Sequence, residues 1–89
     1  MEQIHVTEEQ LKNGVWNFLV SVGESKHKVS VSEEYWNDLT DGDVSPSELV
    51  EKSFQFLLAR EPVESILPSF DLTQIKQHFP EYEENLRTL

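Results

Sequence analysis

Between Val15 and Val22 the side chains alternate, with Trp16, Phe18, Val20 and Val22 falling on one face. A period of two, carried by β-branched and aromatic residues, predicts a strand buried on one side. Gly23-Glu24-Ser25-Lys26 follows as a turn, and His27-Lys28-Val29-Ser30-Val31 returns with Val29 and Val31 on a shared face. Together these segments predict a β-hairpin. A lone hairpin is marginal in water, so the rest of the chain must supply a third strand or a helical cover.

Ile4-His5-Val6 is the candidate third strand, at the edge of the sheet. It runs into Thr7-Glu8-Glu9, a short echo of Val29-Ser30-Val31 running into Ser32-Glu33-Glu34. A hydroxyl residue followed by two acids is how a strand hands over to a helix. The hydroxyl caps the free N–H groups, and the carboxylates meet the positive end of the dipole. From Ser32 onward the period changes. A short helix is predicted from Ser32 through Leu39, broken by Thr40-Asp41-Gly42-Asp43. Ser45-Pro46-Ser47-Glu48 is the clearest helix start: a capping serine, a proline suited to the first helical position, and a glutamate that completes a capping box. The helix it opens carries Leu49, Val50, Phe54, Leu57 and Leu58 on one stripe and is the predicted core helix. Glu61-Pro62 stops it. Pro62 to Leu67 fits one more helical turn closed by Pro68. Asp71-Leu72-Thr73-Gln74 opens a further helix that turns Ile75 and Phe79 inward and ends at Pro80. Glu81 to Leu86 forms a last short helical piece, after which the chain is expected to fray.

The sum is one domain over residues 1–89, of α+β class. Its N-terminal antiparallel β-hairpin or three-stranded sheet packs against a C-terminal set of helices. Eighty-nine residues are too few for two cores. Two Trp, two Tyr and five Phe argue for a folded chain, and the absence of Cys excludes disulfides and thiolate metal sites. The start at Met1 has no basic leader followed by an apolar run, and no apolar run approaches the ~20 residues that span a bilayer. The expectation is a cytoplasmic protein.

Seventeen acids against seven bases give a net charge of −10. Affinity for phosphate backbones and anionic lipid heads is built largely from Lys and Arg, so neither nucleic acid nor membrane is an expected partner. Lys26 and Lys28 are the nearest approach to a basic cluster.

Chemical constellations are sparse. The stretch from Asn37 to Glu48 compares with an EF-hand calcium loop: Asp41, Gly42, Val44, Ser45 and Glu48 stand at its fifth, sixth, eighth, ninth and twelfth positions. Asn37 replaces the usual leading aspartate, and Leu39 removes the third-position ligand. An acidic turn followed by a capped helix accounts for the same residues without a metal. His5, His27 and His78 lie far apart and show no ligand spacing. His27 reads as a strand residue beside a turn, and His78 lies near a helix C-terminus, where a cation is welcome. No nucleophile elbow or phosphate-cradling glycine loop occurs. The carboxylate pairs Glu8-Glu9, Glu33-Glu34 and Glu83-Glu84 are adjacent in sequence and diverge on a helix. No enzyme, catalytic residue, cofactor or metal ligand is predicted. The aromatics read as core. Phe56 and one of Tyr35 and Trp36 fall off the main stripes, where a surface anchor for a partner is the competing reading.

Two resemblances follow from these segments. Lys28 to Arg60, with its strand, short helix, turn and longer helix, resembles the ribbon-helix-helix unit of bacterial antitoxins and repressors. That resemblance implies a strand reading the DNA major groove, with Lys28, Ser30 and Ser32 in the outward positions. It is also compatible with an acidic antitoxin that neutralises a basic toxin. The C-terminal half, Phe56-Leu57-Leu58-Ala59-Arg60-Glu61-Pro62 with Ser65-Ile66-Leu67, Phe70-Asp71-Leu72 and Phe79-Pro80-Glu81-Tyr82, is similar to the tails of short uncharacterised bacterial proteins and implies no activity. The leading expectation is a small acidic interaction or accessory protein, antitoxin-like, that binds another protein. Calcium binding through residues 37–48 and ribbon-helix-helix DNA regulation are the alternatives. A short sheet edge and spare aromatics leave homo-oligomerisation open.

Overall fold

In the computed structural model, which describes residues 3–87 without the side chains of Glu8 and Glu9, the chain begins as a three-stranded meander. Strand β1 (Ile4–Lys12) pairs antiparallel with β2 (Val15–Val22), which pairs antiparallel with β3 (Ser25–Ser32). The turn between β1 and β2 is Asn13-Gly14, with both residues at positive φ (53° and 77°). That two-residue turn matches the twist of the strands it joins, and Asn-Gly suits it because both residues enter the left-handed region cheaply. The turn between β2 and β3 is Gly23-Glu24, with Gly23 at φ 59° in the glycine-first position of a type II′ turn.

The pairing aligns one apolar face. Phe18 lies opposite Val29, Val20 opposite His27 and Trp16 opposite Val31, and on the other side of β2, Ile4 lies opposite Val22 and Val6 opposite Val20. Phe18, Val20, Val22, Val29 and Val31 are buried, whereas His5, Thr7, Asn17, Lys26 and Lys28 on the opposite face are exposed. One face of the sheet therefore carries the core and the other meets water.

The third strand is longer than Ile4-His5-Val6 predicts, and the echo at Thr7-Glu8-Glu9 does not start a helix. β1 continues to Lys12 through a bulge between Glu8 and Gln10. The second copy of the echo does turn helical: the Ser32 hydroxyl accepts the Tyr35 N–H at 3.0 Å and opens α1 (Glu33–Thr40). The difference is one of partner. Residues after Val6 have Val15 to Leu19 beside them to pair with, held there by the Asn-Gly turn, and ladder pairing overrides weak local helix propensity.

α1 is closed by Asp41 in the left-handed conformation (φ 54°), its N–H bonded to the Asn37 carbonyl at 2.7 Å. The loop beyond is fixed by Trp36, whose indole N–H donates to the Val44 carbonyl at 2.8 Å, while its ring packs edge-on against Trp16. α2 (Pro46–Leu58) follows with Ser45 as its cap, the hydroxyl accepting the Glu48 N–H at 3.2 Å. The reciprocal half of the predicted capping box is missing here. A complete capping box occurs instead at Asp71 and Gln74. α2 buries Leu49, Val50, Ser53, Phe54, Phe56 and Leu57 and is the core helix. Leu58 is only half-buried.

A 3₁₀ turn (Val63–Ser65) leads to a strand that the sequence does not announce. β4 (Ser69–Asp71) pairs with β3 in parallel, Val29 opposite Phe70, so the sheet has four strands in the order β1-β2-β3-β4. A second 3₁₀ turn (Leu72–Gln74) continues into α3 (Ile75–His78), and α4 (Tyr82–Arg87) closes the helical layer. The expected fraying after Leu86 concerns residues beyond Arg87 that lie outside the described ones.

A single cluster of buried residues joins the two layers. Phe54 on α2, fully buried, lies between His27 of β3 and Phe70 of β4, with ring centroids 5.5 and 5.9 Å away. Phe56 is also core: it is 5% exposed, with Phe79 and Tyr82 packed edge-on against it and the Arg60 guanidinium 3.7 Å over its ring. It falls off the main stripe because α4 and the Phe79 turn cover a second side of α2, which widens the helix's buried arc. Tyr35 and Trp36 are half-buried. Beneath α4, Ser53 donates to the Leu49 carbonyl at 2.7 Å and accepts from the Tyr82 hydroxyl at 2.6 Å. Those bonds satisfy the polar atoms that burial would otherwise penalise.

Candidate functional site

A cleft of about 420 Å³ opens where the end of α2, the Val63–Ser65 turn, β4 and α3 meet. Its walls are mostly apolar, from Leu57, Ile66, Leu67, Phe70, Ile75 and Phe79, and its polar lining comes from Glu61, Ser65, Gln74 and His78. Such a volume falls among ligand sites, which run to roughly 300–1,000 Å³.

The lip of this cleft is held from the sheet. His27 is 4% exposed, and its Nδ1–H donates to the Leu67 carbonyl at 2.7 Å. The next residue of β3, Lys28, donates its backbone N–H to the Pro68 carbonyl at 2.8 Å. Ile66 is buried beside this anchor while Leu67 is 50% exposed, one of two large apolar side chains left in water among the described residues. The other, Leu11, lies near the β1–β2 turn. The far ring nitrogen of His27, Nε2, is buried without a hydrogen-bond partner.

Two hydrogen-bond networks brace the helices on the other side of the layer. Tyr35 on α1 donates its hydroxyl to Glu83 on α4 at 2.8 Å, and Lys76 on α3 reaches the same carboxylate at 3.4 Å. Burial, and then the bond to Glu83, push the Tyr35 phenol well above its ordinary pKa. The bond received from Tyr35, aided by Lys76 and Arg87 and opposed by partial burial, holds Glu83 below the usual carboxylate range. Tyr82 is raised above its ordinary pKa chiefly by burial, and the Glu83 and Asp71 carboxylates add to the rise.

The residues singled out in the sequence are dispersed. In the loop compared with an EF-hand, Asp41 is spent as the left-handed cap of α1, and Gly42 bonds through its N–H to the Thr40 hydroxyl at 3.1 Å. Among the described residues no three of His, Cys, Asp and Glu are placed to hold a metal ion. Of the outward positions on β3, Ser32 caps α1, Ser30 donates to Asp71 at 2.7 Å, and Lys28 is exposed. β3 is paired on both edges within the chain. Lys26 and Lys28 occupy the solvent face of the sheet, whereas Lys52 is on α2 and Arg60 is paired to Glu81 at 3.3 Å. His5, His27 and His78 sit on β1, on β3 and at the cleft edge. The side chains of Glu8 and Glu9 lie outside the described ones. A smaller, polar hollow of about 360 Å³ along the β3–β4 edge includes Ser30, Asp71 and Gln74, which already bond to one another.

No protein family, curated protein or solved structure matches this chain. No helix among the described residues is long and apolar enough to cross a membrane.

Proposed function

We propose that this chain is a small acidic interaction protein that binds a basic protein partner, in the way that an acidic antitoxin neutralises a basic toxin in the bacterial cytoplasm. The observation that carries the reading is the distribution of charge. From residue 33 to residue 87, the part that forms the helical layer and β4, thirteen acids stand against four bases. Carboxylates such as Glu34, Asp38, Glu48, Glu51 and Glu64 are exposed there. A potential of one sign over a whole layer steers an oppositely charged partner and rejects polyanions. The antitoxin comparison rests on the arrangement of strand and helices from Lys28 to Arg60.

The test is co-purification of the full chain at native abundance, at low ionic strength and again at high. A basic protein retained at low salt and released at high salt is the expected result, because rim charges act through a screened field. Recovery of no protein at either salt, or of nucleic acid, overturns the reading.

A further inference from the structure

We infer that the cleft between α2, the Val63–Ser65 turn, β4 and α3 receives a large apolar side chain from a partner polypeptide, with a lysine or arginine beside it meeting Glu61. The inference rests on the protein-binding reading above and gives that binding a location.

Leu67 stands half in water at the cleft, and the chain there is anchored to the sheet: its own carbonyl and that of Pro68 are bonded to His27 and Lys28 of β3. Ile66, buried next to it, fixes the chain from the other side. The lip is thus set before any ligand arrives, and a preorganised apolar surface loses less conformational freedom on binding. Behind Leu67 the walls are Leu57, Ile75 and Phe79, a lining that takes an aliphatic or aromatic side chain.

The polar edge selects the neighbour of that side chain. Neither the Glu61 carboxylate nor the His78 ring has a hydrogen bond or ion pair among the described residues. Arg60, adjacent to Glu61 in sequence, is turned away: its guanidinium lies over Phe56 and bonds to Glu81. An unpaired carboxylate at the mouth of an apolar cleft, within a strongly acidic layer, complements a cation and disfavours an acidic segment.

The test uses the full chain and two capped peptides, lysine–phenylalanine–lysine and glutamate–phenylalanine–glutamate, followed by amide chemical shifts. Shifts confined to the cleft, among them Glu61, Leu67, Ile75 and Phe79, are expected with the lysine peptide. Binding of the glutamate peptide is expected to be weaker by about fivefold, the upper range of one exposed ion pair. Glu61→Gln should shrink that discrimination while leaving the fold intact. Leu67→Lys, at a half-exposed site, should weaken the lysine peptide by about tenfold. Shifts spread over the sheet face, equal response to both peptides, or indifference to Leu67→Lys overturns the inference. So does the appearance of the cleft shifts on raising protein concentration alone, which would make a second copy the occupant. A co-purified basic partner that Leu67→Lys binds undiminished overturns the cleft and spares the protein-binding reading. Recovery of no basic partner with the unaltered chain, together with no cleft shifts from either peptide, shows that the protein-binding reading itself is wrong.

Discussion

Residues 3–32, which form the three antiparallel strands, carry three acids and three bases, whereas residues 33–87 carry thirteen and four. The two regions are held differently as well. The meander is knit by backbone ladders along full-length strands with well-formed turns, and it has no ion pair between described side chains. The helical layer has short elements and needs side chains to hold them together: Tyr35 to Glu83, Lys76 to Glu83, Arg60 to Glu81, Tyr82 to Ser53. Glu81 and Glu83 are recruited into those ion pairs, and the layer still carries nine more acids than bases. Surplus charge of one sign weakens the folded state. Its concentration in one layer and its balance in the other is the contrast on which the proposed binding of a basic partner rests.

Cutting the link between the regions should have the largest effect. Phe54→Ala removes the fully buried ring between His27 and Phe70 and is expected to cost about 3–5 kcal/mol, measured by chemical denaturation. A loss under about 1 kcal/mol would mean that the layers do not share a core.

Alkali should attack the helical layer next. Tyr82 and Tyr35 have pKa values raised above the ordinary phenol, so above about pH 10 the unfolded chain sheds those protons first. The stability they provide is fully present below that pH and falls as pH rises. The slope is about 1.4 kcal/mol per pH unit for the buried Tyr82, and it is shallower for the half-exposed Tyr35. Tyr82→Phe should flatten that decline and, at neutral pH, cost on the order of 1 kcal/mol for the lost bond to Ser53. Equal alkaline sensitivity in wild type and variant would contradict this placement of Tyr82.

The pin between the regions is worth less than the Phe54 ring. His27→Phe keeps the ring beside Phe54 and removes the donor to the Leu67 carbonyl, for an expected loss of roughly 1–2 kcal/mol. Its amide shift changes should fall at residues 66–68 and not along β2. Smallest of all, the double change Lys26→Glu and Lys28→Glu on the sheet's solvent face should alter stability by no more than about 0.5 kcal/mol. It should leave the salt dependence of partner binding intact, whereas charge reversal at Glu48 and Glu51 on α2 should reduce it.

Much of the framework was legible in the chain. Alternation at Trp16, Phe18, Val20 and Val22 fixed a strand and its buried face, and Ser32 and Ser45 marked the starts of α1 and α2 because a hydroxyl before a helix has few other uses. The length of β1 was not legible, since Glu8, Glu9 and Gln10 are poor strand residues that only pairing rescues. The Asn13-Gly14 dipeptide was the available signal, because it is the strongest short-range mark of a hairpin. β4 escaped because three residues with one buried side chain, following Pro68 and ending on the capping Asp71, have no measurable period. The cleft escaped for a deeper reason: Leu57, Leu67, Ile75 and Phe79 read individually as core, and only their meeting at a gap shows that the core is left open there.

The parallel pairing of β4 with β3 has a consequence for the order of events in folding. Its anchor joins His27 to Leu67, 40 residues on, and only three residue pairs secure it. Closing so long a loop costs entropy that the two adjacent hairpins of the meander never incur. Residues 63–79 should therefore dock last and detach first, lifting off as a unit while the meander stays protected from amide hydrogen exchange. A surface built on that segment can be assembled and dismantled without unfolding the strands beneath it.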